Sequence, residues 1–176
     1  MHRTMVVLGI DPGIAITGYG IVRFDDQSLE SVAFGTITTA AGLSLPVRLE
    51  RLHGELEALI RVHHPTQSAV EELFFAKNAR TALSVGHARG VVLLALMQAG
   101  LSIHEYTPLQ VKQAITGYGR ATKEQMQQMV RLLLGLPSIP QPDDAADALA
   151  VAICHAHSYP LASRVSGESQ ISRRAL

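Results

Sequence analysis

Four acids fall at boundaries between apolar segments and could share one site. Asp11 closes the apolar run Val6-Val7-Leu8-Gly9-Ile10 and is followed at once by Pro12 and Gly13. A buried strand that stops at an acid puts a carboxylate at the rim of a sheet. Asp-Pro-Gly is also ordinary turn chemistry, so Asp11 alone could simply start a turn. Gly13 lacks a Cβ, which would let a bulky ligand approach the backbone. Glu71 ends a second apolar run, Ser68-Ala69-Val70, and the next acid, Glu72, points the other way if the strand continues. Asp144 and Asp147 stand at i and i+3 in the first turns of an expected helix, so they share a face. Acids there also suit the helix dipole. Asp143 and Asp147 are one turn apart as well, and the spacing leaves that register open; Asp143, just after Pro142, is expected to cap the helix.

If these carboxylates converge, like charges raise their pKa values unless something positive sits among them. Hard, oxygen-binding cations such as Mg²⁺ or Mn²⁺ are the natural solution. Two such ions ~3.5–4 Å apart can activate a water and stabilise the leaving oxygen of a phosphodiester. Lys123 adds a second hint. It falls in the first turn of an expected helix, where a cation opposes the dipole, and a residue placed at such a cost suits an anionic ligand such as phosphate.

The elements that must position these residues follow from periodicity. After the first strand, Thr17 to Phe24 and Leu29 to Thr39 read as two more strands around an Asp25–Ser28 turn, an antiparallel meander. Pro46 opens a helix to about His63. Ser68 to Glu71 is a strand, 78–98 a long helix closed by Gly100, and Ile103 to Tyr106 a fifth strand. Pro108 to about Thr116 reads as a helix, Gly117 to Arg120 as a mobile loop, and Thr122 to about Leu134 as a helix with a Thr122–Gln125 capping box. Asp143 to about His157 is the last long helix. Residues 1–157 form one domain and the polar stretch 158–176 a disordered tail. The order implies a mixed α/β sheet of five strands with helices on both faces.

Composition excludes several classes. No run of ~18 apolar residues exists, so no segment is expected to span a membrane. The N-terminus lacks a secretory pattern, and the chain reads as cytoplasmic. A single cysteine, Cys154, rules out a disulfide framework or a cysteine zinc site and is expected in the core. None of the histidines has a ligand spacing; His155 and His157 are expected to flank a helix end. Charge is balanced overall but uneven. Residues 1–72 hold five Lys/Arg against nine Asp/Glu, whereas residues 73–142 hold seven against two. A positive segment beside acids could hold an anionic polymer next to a cation site.

Gly9-Ile10-Asp11-Pro12-Gly13, Val70-Glu71-Glu72-Leu73-Phe74 and Asp144-Ala145-Ala146-Asp147-Ala148-Leu149-Ala150 together resemble the RuvC family of Holliday-junction resolvases. The likeness extends through Ala76-Lys77-Asn78-Ala79, Gly86-His87-Ala88-Arg89-Gly90 and Gln110-Val111-Lys112-Gln113. It spans roughly residues 5 to 157. The resemblance implies an RNase H-like fold and a homodimer. It implies a divalent-metal endonuclease that cuts four-way DNA junctions in two strands of like polarity during recombination and repair. Carried over residue by residue, it makes Asp11, Glu71, Asp144 and Asp147 the metal-binding acids, with Mg²⁺ or Mn²⁺, two per active site. Asp144 is chosen over Asp143 because the family pattern is acid-Ala-Ala-Asp. Lys112 and Lys123 match catalytic lysines near the scissile phosphate. Phe74 matches an aromatic that meets unpaired junction bases, and Phe75, Lys77, Arg80 and Arg120 join Lys112 and Lys123 as candidate DNA contacts. Ala79, Ala82, Gly86 and Gly90 form a stripe of small residues on the long helix, the candidate dimer contact. The RuvA–RuvB branch-migration complex is the partner that the resemblance suggests.

Two other readings compete. An actin-like ATPase or sugar kinase also begins with a strand, an Asp and glycines, but needs two such domains, more than 176 residues supply. A junction-binding protein with a dead site would lack some of the acids, and all four are present.

Overall fold

The computed structural model describes residues 4–25, 28–72 and 79–172. Five strands form one mixed sheet: β1 (Met5–Asp11), β2 (Ile16–Asp25), β3 (Ser28–Thr38), β4 (Gln67–Glu71) and β5 (Ile103–Tyr106), in the order β3-β2-β1-β4-β5. β1, β2 and β3 are the expected antiparallel meander. β4 joins β1 in parallel, and β5 joins β4 in parallel. Helices α1 (Leu45–His63) and α2 (Ala79–Gln98) make the crossovers, and α3 (Pro108–Thr116), α4 (Lys123–Leu133) and α5 (Asp143–Ser172) follow.

β1 is central and apolar throughout because both of its faces are covered. Leu8 and Ile10 point to one side and pack with Leu52, Leu56, Val92 and Leu96 of α1 and α2. Val7 points to the other and joins a core made with Val111, Val130, Leu149 and Ile153 of α3, α4 and α5. Helices therefore cover both faces, as expected. α5 lies unusually close to the sheet. A Cβ on Gly18 would run into the carbonyl oxygen of Asp144, and one on Gly9 into that of Ala148. Ala145, Ala146, Ala148 and Ala152 complete the close contact from the helix side, all buried.

Local signals explain the ends. Pro46 lies in the first turn of α1, and His64 ends that helix in the left-handed region at φ 47°. The Thr122–Gln125 capping box is present on α4, and the same device, unread in the sequence, opens α3 at Thr107 and Gln110. The 117–120 loop is tied down at two points: the Gly117 N–H donates to the Gln113 carbonyl, and the Tyr118 hydroxyl donates to Gln125 Oε1 at 2.7 Å.

Three expectations change. α5 does not stop near His157 but runs to Ser172. His155 lies inside α5, fully buried, with Nδ1 2.8 Å from the Tyr106 hydroxyl, so it ties β5 to α5 instead of flanking a helix end. Gly13 leaves no gap for a ligand: a Cβ there would strike the Ile16 carbonyl oxygen, and the Thr17 hydroxyl donates to the Gly13 carbonyl at 2.6 Å. The glycine is required by the turn itself. Cys154 is buried and free, as expected. Among the described residues, no helix is long and apolar enough to cross a membrane.

Candidate active site

Asp11 and Glu71 are the last residues of β1 and β4. Ile10 pairs with Val70, so one further step along each parallel strand sets the two acids side by side. Strand parity puts Asp11 on the face of Val7 and Gly9, and Glu71 on the face of Ala69, which is the face that α5 covers. Their carboxyl groups hydrogen-bond to each other. Across β2, Asp11 faces Gly18, whose missing side chain admits the first turn of α5. That turn brings Asp144 and Asp147 to the same rim.

The electrostatics follow from this placement. Burial, then the charge of Asp147, pushes Asp11 up from the usual carboxylate range. Burial, then the charge and the hydrogen bond of Asp11, pushes Glu71 up further. Asp147 is also raised, chiefly by burial, with Lys123 opposing the shift. Such a pair of acids holds a proton near neutrality unless a cation replaces it.

Two lysines enter the same place. Lys112 on α3 and Lys123 on α4 line a cleft of about 240 Å³ together with Glu71, Asp147, Pro108, Val111, Met126 and Ala150. The Lys123 ammonium lies 3.1 Å from Asp143 Oδ2 and 3.4 Å from Asp147 Oδ2. Burial lowers the basicity of Lys123, but its bonds to Asp143 and the charge of Asp147 outweigh this, and its pKa is raised. Asp143 is held well below the ordinary range by Lys123 and by Gln127, whose Nε2 donates to Oδ1 at 2.9 Å. The expected helix cap is therefore a lateral tie between α4 and α5.

The donor set suits a hard divalent cation, since every acid at the rim offers carboxylate oxygen. Among the described residues, however, no three His, Cys, Asp or Glu side chains stand close enough to hold one ion as they are. Lys123 accounts for part of this, because its ammonium takes an oxygen of Asp147. A cation would have to displace that ion pair.

Of the other sequence-derived candidates for DNA contact, only Arg120 has a described side chain. Arg120 is exposed in the connection between α3 and α4. Phe74, Phe75 and Lys77 lie outside the described residues, as do the side chains of Ala79 and Arg80. The Asp143–Gln127 contact was not read from the sequence, although Gln127 stands one turn after Lys123 on α4 and so faces the same way.

Comparisons with known proteins agree with this picture. The model of the family described as crossover junction endodeoxyribonuclease RuvC matches residues 7–155. A protein of that name from Heliobacterium modesticaldum is 60% identical over 154 residues, 88% of this chain and 95% of the relative. Another, from Desulfitobacterium hafniense, is 58% identical over 163 residues, covering 93% and 99%. Among solved structures, Thermus thermophilus RuvC in complex with a Holliday junction substrate superposes with a TM-score of 0.86 at 38% identity, covering 90% of this chain and 96% of that one. The yeast mitochondrial Holliday junction resolvase Ydc2, at 15% identity and a TM-score of 0.64, shares the fold. With the family model spanning both strand-end acids and the start of α5, and full-length relatives near 60% identity, the chain belongs to the crossover junction endodeoxyribonuclease RuvC family.

Proposed function

We propose that this chain is a structure-selective endonuclease that resolves four-way DNA junctions, cutting two strands of like polarity in recombination and repair. The observation that carries the reading is the cleft itself. Glu71 and Asp147 from two separate elements meet Lys112 and Lys123 from two others, with Asp11 hydrogen-bonded behind them.

Asp11, Glu71, Asp144 and Asp147 would hold divalent metal, Mg²⁺ or Mn²⁺ and two per site, which supplies an activated water and neutralises charge on the phosphate. The chain's own residues do the rest. Lys112 and Lys123 face the space in which a phosphate would sit and donate to the oxygens that gain charge as the bond breaks. The apolar wall of Val111, Met126 and Ala150 keeps bulk water from screening those charges. Phe74, which follows Glu71 by three residues, is the candidate for stacking on an unpaired junction base, and Phe75, Lys77, Arg80 and Arg120 for contacts with the DNA arms.

A second copy of the chain completes the reading. Leu83, His87, Gly90, Leu94 and Met97 are all exposed and repeat along α2 at alternating steps of four and three. This is a helix seam that nothing among the described residues covers. Among the described residues, a Cβ on Gly86 or Gly90 would meet nothing within 4 Å, so no described neighbour requires these glycines. A two-fold homodimer through α2 would cover the seam and give the two sites that paired cutting needs. Ala79 and Ala82, also read as part of this contact, begin the helix next to it. Action on DNA in the cytoplasm, alongside a RuvA–RuvB branch-migration complex, fits the family.

The test is cleavage of a synthetic four-way junction labelled on each strand in turn, with Mg²⁺, with Mn²⁺ and with chelator. Symmetric cuts in two opposite strands, dependent on metal and absent on linear duplex, are expected. Binding without cutting in either metal would leave a junction-binding protein and sink the reading.

A further inference from the structure

Lys123 is half exposed, and so is Asp143. An ion pair with that exposure contributes little to stability, yet a buried side chain is spent on orienting it. Gln127, 9% exposed, donates from Nε2 to Asp143 Oδ1 at 2.9 Å. The other oxygen, Oδ2, is 3.1 Å from the Lys123 ammonium. Lys123 and Gln127 are at i and i+4, so one face of α4 presents both groups to a single carboxylate at the start of α5. With both oxygens engaged, that carboxylate cannot rotate freely, and the ammonium it holds is confined to the mouth of the acidic cleft.

We infer that Asp143, oriented by Gln127, is a positioning residue that holds the Lys123 ammonium at the cleft. The inference rests on the proposed role of Lys123 at the phosphate and adds a residue to it. Lysine is a point charge on a flexible stem, so without a tether much of its effect would be lost to disorder. Asp143 supplies the tether from outside the group of acids expected to hold metal. Asp147 is the second contact of Lys123, at 3.4 Å. An incoming phosphate could take over that contact while Asp143 keeps its own. Positioned charge of this kind acts on the transition state more than on the affinity for DNA.

A double-mutant cycle on the full chain tests this, with Asp143→Asn, Lys123→Met and both together on a four-way junction at saturating protein. Lys123→Met should slow cutting about 100-fold and Asp143→Asn about fivefold, with junction affinity changed less than about twofold. The double variant should be no slower than Lys123→Met alone, because Asp143 acts through the lysine. Gln127→Met should slow cutting in the same direction and be equally silent on the Lys123→Met background, whereas Asp143→Glu should recover part of the rate. A readout free of turnover is the Lys123 ammonium signal in ¹H–¹⁵N spectra of the metal-free protein. It should be protected from solvent exchange in the wild type and lost in Asp143→Asn. Rate losses that multiply in the double variant, or an Asp143→Asn protein that cuts at the wild-type rate with its ammonium signal intact, would overturn the inference while leaving the role of Lys123 standing. A Lys123→Met protein with wild-type cutting would overturn both.

Discussion

At the scale of single residues, the four acids and the lysines should separate cutting from binding. Asp11→Asn, Glu71→Gln, Asp144→Asn and Asp147→Asn each remove a charge that a divalent ion would need. Each should lower the cutting rate by about 100-fold or more while a gel-shift assay shows the junction still bound, because DNA affinity comes from the basic residues. Any of the four that cuts normally leaves the metal set. Lys112→Ala should slow cutting at saturating protein; if it is only a backbone contact, affinity falls and the slope of log K against log salt flattens by about one ion. The same acids make a prediction about pH. Burial and mutual repulsion raise Glu71 and Asp11 in the folded chain. Between the ordinary carboxylate range and those raised values, these two groups bind more protons in the folded chain than in the unfolded one, so their contribution to metal-free stability falls as pH rises through that window. In chelator, Glu71→Gln should therefore lose less stability than wild type from about pH 5 to about pH 8 and melt several degrees higher at the upper end. Burial of His155 holds its imidazole at about 4 and works in the opposite direction in both proteins, so the readout is the difference between them: a gap between Glu71→Gln and wild type that stays constant across this range would contradict the shift.

At the scale of elements, the site depends on how closely α5 approaches the RNase H-like sheet. Gly18 is where β2 lets the Asp144 carbonyl through, and any side chain there must push the helix start away. Gly18→Ala should cost about 1–3 kcal/mol, the range for overpacking, and should weaken cutting as well, since it moves Asp144 and Asp147 relative to Asp11. Gly54→Ala, on the exposed side of α1 and away from the proposed dimer contact, is the internal contrast. Its Cβ meets open space within the protomer, so by helix propensity alone it should be neutral or stabilising by up to about 1 kcal/mol. Thermal melts of the two variants should move in opposite directions. Equal destabilisation would mean that the close approach of α5 does not limit the fold at Gly18.

At the scale of the whole molecule, one cleft of this kind cuts one phosphodiester, and a four-way junction offers two equivalent strands. Leu94→Glu or Met97→Glu puts charge on the exposed seam of α2, far from the sheet face held by Val92 and Leu96. Sedimentation should shift each variant from dimer toward monomer without lowering its melting temperature by more than a few degrees. A hybrid dimer of one wild-type and one Asp11→Asn subunit should nick a single strand, so that nicked junctions accumulate. Full resolution by the hybrid, without subunit exchange or rebinding, would exclude two sites acting in pairs.

The sequence by itself determined the strands and the helix starts, and it singled out the four acids as candidates. These depend on short-range features: an apolar run that stops at Asp11, a second that stops at Glu71, Thr122 with Gln125, and alanines around Asp144 and Asp147. Side-chain parity along parallel strands then already places Asp11 and Glu71 on one face once their register is known. The register itself, and the contacts of long polar side chains, belong to the tertiary structure. Gly13 reads as open to a ligand, yet its own chain three residues on, at the Ile16 carbonyl, closes the space. Asp143 looked like a helix cap, yet Gln127 and Lys123 from a separate helix take both of its oxygens. Which small residues on α2 face their own sheet and which face outward also depended on how the helix docks: Ala88 is buried and Gly90 exposed, two residues apart. In each case the deciding partner lies on a segment that only folding brings near, and no local spacing encodes which of several polar or small neighbours will arrive first.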